Sequence, residues 1–116
     1  MSKFLIIFLT GIPICLYSAE RDINTAWCSS VGGDDEFRTK DGTYVDCLTD
    51  EYAIEAEYDY KWKEGIGQAL HYAESTNRKA AILFIKRAKS RKDYYNEMMR
   101  VINRYDLPIK IFVIEE

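Results

Sequence analysis

Two acidic side chains, Asp46 and Glu55, stand inside mainly apolar stretches of the chain, "YVDCL" and "YAIEAEY". Burying an unpaired carboxylate is costly, and two carboxylates that meet repel each other unless a proton or a cation lies between them. Their oxygens suit Mg²⁺ or Mn²⁺, ions that can clamp a phosphate and activate water. On these two residues alone, acids at exposed strand ends are the simpler interpretation.

A polar stripe follows directly after the second stretch. Lys61, Gln68 and Tyr72 are separated by seven and then four residues, so a helix would place them on one side. Gly65 falls in the same stripe, although a glycine inside a helix costs about 1 kcal/mol relative to alanine. Close approach of the sheet or of a ligand would explain that glycine; an ordinary polar face that tolerates it is the alternative. The position of the stripe, just after a Glu-x-Glu strand, favours a site.

The elements that must position these residues follow from the apolar periodicity. The order α-β-β-β-α-β-α-β predicts an α/β fold with a mixed central sheet, in which residues 20–116 form one domain. The predicted elements are a helix at 20–28, a hairpin at 35–49, a strand at 51–58, a helix at 61–76, a strand at 80–85, a helix at 90–106 and a strand at 108–116.

The hairpin is predicted to turn at Asp41-Gly42, a strong signal for a two-residue loop. That loop would pair Phe37 with Asp46 and Glu36 with Cys47. Since directly paired residues share a face of the sheet, Glu36 would then lie on the face opposite to Asp46. A β-bulge would change this arrangement.

The first nineteen residues are typical of a secretory signal peptide. They carry one lysine, an apolar stretch over 4–17 and a small residue, Ala19, at the end. Cleavage there predicts a secreted or periplasmic protein; an uncleaved anchor is the alternative. In an exported chain, Cys28 and Cys47 are expected to form a disulfide, rather than two buried thiols, worth roughly 3 kcal/mol in the chain-entropy model.

Composition and charge limit the function classes. The chain has 116 residues, one histidine and a formal net charge of −3, so a zinc site, a His-dependent hydrolase and a nucleic-acid binder that is basic overall are all disfavoured. One local run is basic, and it precedes a helix, where cations oppose the helix dipole and phosphate contact is plausible. A solvated basic loop is an equal alternative. The run comprises Lys86, Arg87, Lys89, Arg91 and Lys92.

The succession Asp46, "IEAE" with Glu55, and "QALHY" with Gln68 and Tyr72 resembles the PD-(D/E)XK nuclease superfamily, particularly its RecB-like branch. The resemblance implies a three-layer restriction-endonuclease-like core over residues 20–116. It implies Asp46 and Glu55 as ligands of Mg²⁺ (or Mn²⁺). Gln68 and Tyr72 would orient the site or touch the nucleic-acid backbone.

One position departs from the pattern of that superfamily. Glu57 stands where a lysine is usual, and a carboxylate cannot stabilise an attacking hydroxide or a phosphate as an ammonium does. Lys61 could supply the charge, whereas Lys63 falls off the stripe. For the acid that the superfamily carries on its first helix, Glu20 and Asp22 are candidates, and Glu36 is a third if a β-bulge brings it to the face of Asp46. The sequence therefore predicts an exported metal-dependent nuclease-like protein that hydrolyses phosphodiester bonds; the alternative is a catalytically inactive binding module on the same fold.

Overall fold

The computed structural model describes residues 19–116, and the predicted signal peptide lies outside the described residues except for Ala19. None of the helices formed by the described part of the chain is long and apolar enough to cross a membrane. The elements are α1 (Ala19–Ser30), β1 (Asp34–Arg38), β2 (Tyr44–Leu48), β3 (Tyr52–Tyr58), a 3₁₀ turn (Asp59–Lys61), α2 (Trp62–Thr76), β4 (Lys79–Lys86), α3 (Tyr94–Arg104) and β5 (Ile109–Glu115). This order confirms the predicted α/β succession.

The five strands form one mixed sheet in the order β1-β2-β3-β4-β5. β2 runs antiparallel to both of its neighbours, β1 and β3, whereas β3, β4 and β5 are parallel to one another. β4 is an interior strand between β3 and β5, and its residues 80–85 are buried on both faces, as its unbroken apolar sequence predicts. α1 covers one face of the sheet, and α2 and α3 cover the other.

The face under α1 is closed by a disulfide. Cys28 of α1 is bonded to Cys47 of β2, and both are fully buried beside Ile54 and Leu83. Gly33 packs directly on the bridge, because a Cβ at this position would lie 2.6 Å from the Cys47 sulfur. The predicted disulfide is therefore present, and it joins α1 to β2 one residue before the strand ends.

The opposite face holds the second core cluster. Trp62 and Ala69 of α2 pack in it against Ile82 and Phe84 of β4. The start predicted for α3, at residue 90, is wrong. Asp93 is the N-cap and accepts from the Asn96 backbone N–H at 3.0 Å, so the helix begins at residue 94.

The β1–β2 loop differs from the predicted turn. It has three residues, because Thr39 N donates to Thr43 O at 2.8 Å. The side chain of Asp41 stabilises this longer loop: its Oδ1 accepts from Thr43 N at 3.1 Å, from Thr43 Oγ1 at 2.7 Å and from the Thr39 hydroxyl. Phe37 consequently pairs with Val45, and not with Asp46.

The shift by one residue also corrects the position of Glu36. Asp35, not Glu36, stands opposite Cys47. Glu36 adopts a left-handed conformation, with φ at 56°, and lines the same cavity as Asp46. The predicted separation of Glu36 from Asp46 is therefore wrong.

Candidate acidic site and nucleic-acid interface

Asp46 lies where β2 parts from β3. The two strands pair at Cys47–Ile54 and Leu48–Ala53. One residue further along, Asp46 Oδ2 accepts a hydrogen bond from the Ala56 backbone N–H at 2.8 Å. The Asp46 carbonyl accepts from Asn24 Nδ2 of α1 at 2.9 Å. The carboxylate of Asp46 thus takes the place of a backbone partner in the gap between the strands.

Glu55 and Glu57 lie on the α2 side of β3. They are paired with Ile82 and Phe84 of β4 and are only 6% and 5% exposed. Helix α2 passes close above them at Gly65, where a Cβ would lie 3.1 Å from the Glu57 Cγ. Close approach of the sheet therefore explains the glycine inside this helix.

Gln68 and Tyr72 of α2 complete the predicted constellation. With its amide nitrogen turned toward the acids, Gln68 donates to Glu55 Oε2 at 2.7 Å and to Glu57 Oε2 at 2.9 Å. Tyr72 is buried, and burial followed by the charges of Glu55 and Asp46 raises its pKa. The structure thus brings Asp46, Glu55, Gln68 and Tyr72 together.

Burial raises the pKa of all three acids in this cluster. For Glu55, burial, the charge of Asp46 and hydrogen bonding to Glu57 raise the pKa to about 11. Burial also raises the pKa of Glu57, to about 7, and that of Asp46, although a hydrogen bond with Glu55 works in the opposite direction for both. At neutral pH, Glu55 is therefore a neutral acid that shares its proton with the two flanking carboxyl groups.

Lys61 and Lys63 occupy different surroundings. Lys61 Nζ lies 3.8 Å from Glu20 Oε1 of α1. Burial raises the pKa of both Glu20 and Glu57, and the charge of Lys61 offsets part of that rise. The ammonium of Lys63 lies 5.7 Å from the ring centroid of Trp62. Lys61 therefore borders the acidic cluster.

A cavity of about 260 Å³ opens between α1 and the acidic cluster. Asn24 was missed by sequence reasoning; its Oδ1 is buried and has no hydrogen-bond partner in the described part of the chain. The signal was its spacing, four residues from both Glu20 and Cys28, which places all three on the inward stripe of α1. The cavity is lined by Glu20, Arg21, Asn24, Glu36, Asp46 and Ala56.

The basic run divides into two parts. Arg87 is held by Asp59, which is 1% exposed: Arg87 Nε donates to Oδ1 at 2.9 Å and Arg87 N donates to Oδ2 at 3.3 Å. Burial opposes ionisation of Asp59, but the hydrogen bonds from Ser90 and Arg87 outweigh it and lower the pKa. Lys92 donates to Glu97 at 3.2 Å. The remaining three cations of the run are exposed: Lys86, Lys89 and Arg91.

The basic run and the acidic cluster adjoin at one edge of the sheet. β3 and β4 are parallel, so their carboxyl ends lie side by side, and ligands of α/β sheets bind at such ends. Tyr60 lies between the two regions. The guanidinium carbon of Arg87 is 4.3 Å from its ring centroid, and Lys61 Nζ is 5.8 Å from it.

The donor set decides which metal could bind. Within residues 19–116, no three His, Cys, Asp or Glu side chains are arranged to hold a metal ion by themselves. Mg²⁺ is commonly bound through one or two carboxylates, with water and substrate phosphate as the other ligands. The Asp46–Glu55 pair, which now shares a proton where a cation could stand, fits that kind of Mg²⁺ or Mn²⁺ site.

Two viral proteins are similar to this chain. L33 of Acanthamoeba polyphaga mimivirus is 30% identical over 104 residues, which are 90% of this chain and 41% of the relative. L32 of the same virus is 36% identical over 77 residues, 66% of this chain and 20% of the relative. Both are named for a KilA-N domain, and the chain spans less than half the length of either. No family model and no solved structure matches the chain.

The two glycines of α2 provide a matched test of the site geometry. We expect Gly67→Ala to stabilise the chain by up to about 1 kcal/mol, because position 67 is open and alanine is the better helix former. We expect Gly65→Ala to be destabilising, since its methyl group would press on Glu57. Urea unfolding of both variants measures the difference; equal stabilisation by both would contradict the close approach.

Stability of the metal-free chain should depend on pH in an unusual direction. In the unfolded chain Glu57 loses its proton near 4.5, whereas in the folded chain it keeps it up to about 7. Between these values the folded state binds more protons, so the free energy of unfolding falls as pH rises, by up to about 1.4 kcal/mol per pH unit for each retained proton.

The measurement is urea unfolding at half-unit steps from pH 5 to pH 8. Glu57→Gln should make the slope below pH 7 shallower, because a neutral amide has no proton to lose, whereas the slope due to Glu55, which keeps its proton across the whole window, should remain. Glu51→Gln, at an exposed position at the other end of β3, serves as the control and should leave the slope unchanged. Stability that rises with pH across this window would refute the shared-proton arrangement.

Proposed function

We propose that the chain is a nucleic-acid-binding module on a PD-(D/E)XK-like core. The observation that carries this proposal is the position of the exposed cations Lys86, Lys89 and Arg91. They lie at and after the carboxyl end of β4, directly before the N-terminus of α3. Arg87 of the same run and Lys61 of the site both lie against the ring of Tyr60, which connects the run to the site. Protonation of Glu55, or a bound cation, removes the charge that would otherwise repel a phosphate there.

The viral relatives favour binding over catalysis. Both are named for a KilA-N domain, a name that suggests nucleic-acid binding, and neither name states an enzymatic activity. The chain matches only part of each relative, so the two names support the proposal and do not identify the ligand.

Removing the exposed cations should weaken binding to any sequence. The triple variant Lys86→Ala, Lys89→Ala, Arg91→Ala removes three candidate phosphate contacts, each worth about one unit in the slope of log affinity against log salt. Fluorescence anisotropy with single-stranded and duplex 20-mers, from 50 to 200 mM salt, measures both affinity and slope.

The matched control carries the same change in charge elsewhere: Lys40→Ala, Lys79→Ala, Lys110→Ala. All three positions are exposed, in the hairpin loop or at the amino ends of β4 and β5. We expect the control to keep most of the affinity. Equal loss in the two triple variants would show that the run at 86–91 is not the binding surface.

We propose a second function, Mg²⁺-dependent hydrolysis of phosphodiester bonds, on the convergence of Asp46, Glu55, Gln68 and Tyr72. A bound Mg²⁺ would supply a clamp for the phosphate and an activated water, and Asp46 and Glu55 would hold the ion. Gln68 holds the buried glutamates in position. Lys61 supplies the positive charge that Glu57 cannot.

Cleavage of labelled DNA and RNA by the full chain, with Mg²⁺ and with a chelator, tests hydrolysis. We expect Asp46→Asn and Glu55→Gln to abolish cleavage and Lys61→Ala to lower it by about 10²-fold or more, the cost typical of removing one charge-stabilising group. Glu51→Gln is the control. Binding without any cleavage would reject hydrolysis and leave the binding module in place.

A further inference from the structure

Two tyrosines follow the acidic cluster in the chain, Tyr58 as the last residue of β3 and Tyr60 in the turn after it. Tyr58 directly follows Glu57, and Tyr60 directly precedes Lys61. Their rings are nearly parallel, at an interplanar angle of 14°, with centroids 6.3 Å apart. Tyr60 is 46% exposed. Tyr60 therefore presents aromatic surface beside the site, whereas Tyr58 is half-buried and packs against the core cluster under α1.

Both rings are held in place by neighbouring polar groups. The Tyr58 hydroxyl donates to Glu116 Oε2 at 3.3 Å. The guanidinium of Arg87 lies 4.3 Å from the centroid of Tyr60, and the buried carboxylate of Asp59 fixes the orientation of that guanidinium. The two rings and the guanidinium thus form a preorganised surface.

The chemistry of this surface matches an unpaired nucleobase. Proteins that bind single strands combine aromatic rings, on which bases stack, with cations that track the backbone, and arginine adds a cation–π contribution. An isolated exposed tyrosine needs no explanation. Here the ring of Tyr60 lies against Arg87 and Lys61, and the exposed cations of the basic run are neighbours of Arg87 in the chain.

We infer that Tyr58, Tyr60 and Arg87 form a stacking platform for unpaired bases, which makes single-stranded nucleic acid the preferred ligand. The inference rests on the proposed binding function and names its ligand class. A duplex hides its base faces, so it can use the cations of the basic run but not the platform. The platform therefore adds affinity only where bases are free.

The test compares three ligands of equal length: a single-stranded 12-mer, its duplex, and a 12-mer of abasic sugar-phosphate. We expect the wild-type chain to bind the single strand most tightly. Tyr60→Leu keeps apolar bulk but removes the π face, and should weaken single-strand binding about 10- to 100-fold, the range of base–aromatic stacking. Duplex and abasic binding should stay unchanged, and Tyr60→Trp should retain single-strand binding.

Tyr105→Leu is the matched control, because Tyr105 is also exposed and has the Arg104 guanidinium 5.6 Å from its ring centroid, but it lies beyond the far end of α3. If Tyr60→Leu weakens all three ligands equally, or none, the platform is refuted. The proposed binding function still stands in that case if the triple variant at 86, 89 and 91 loses affinity. A wild-type chain that binds none of the three ligands overturns the binding function and the platform together.

Discussion

The desolvation of Glu55 is the constraint on which the site depends. Burial at 6% exposure and the neighbouring Asp46 and Glu57 raise the pKa of Glu55 to about 11, so at neutral pH it holds a proton and donates it to its neighbours. The gap between β2 and β3 and the amide of Gln68 accommodate this group, and the glycine in α2 leaves room for Glu57 beside it. The shared proton therefore lets the acids lie together, and in the proposed metal-dependent function a cation would take its place.

The element order and the faces of the strands could be predicted from the sequence, because buried residues recur about every two positions in a strand and every 3.6 positions in a helix. The alternation in β3 placed Glu55 and Glu57 on one side, and the helical spacing placed Gln68 and Tyr72 opposite them. Such local patterns are set by residues a few positions apart. They sufficed to predict that four of the site residues would meet.

What the sequence did not predict depends on longer-range or side-chain hydrogen bonds. The hairpin register was wrong because Asp41 bonds to Thr39 and Thr43 and thereby lengthens the loop by one residue, which brings Glu36 to the cavity. The role of Asp59 was missed because its partners lie 28 and 31 residues away in the chain. No periodicity records such contacts.

The bond between Asp59 and Arg87 has a consequence for recognition that goes beyond stability. An arginine on a mobile loop loses rotameric freedom when it meets a ligand, and that loss lowers affinity. Here the buried carboxylate imposes the loss during folding, before any ligand arrives. The carboxylate of Asp59 thus offsets part of the field of the Arg87 charge and fixes the direction of the guanidinium. This suits Arg87 to orient a ligand, while its exposed neighbours attract one.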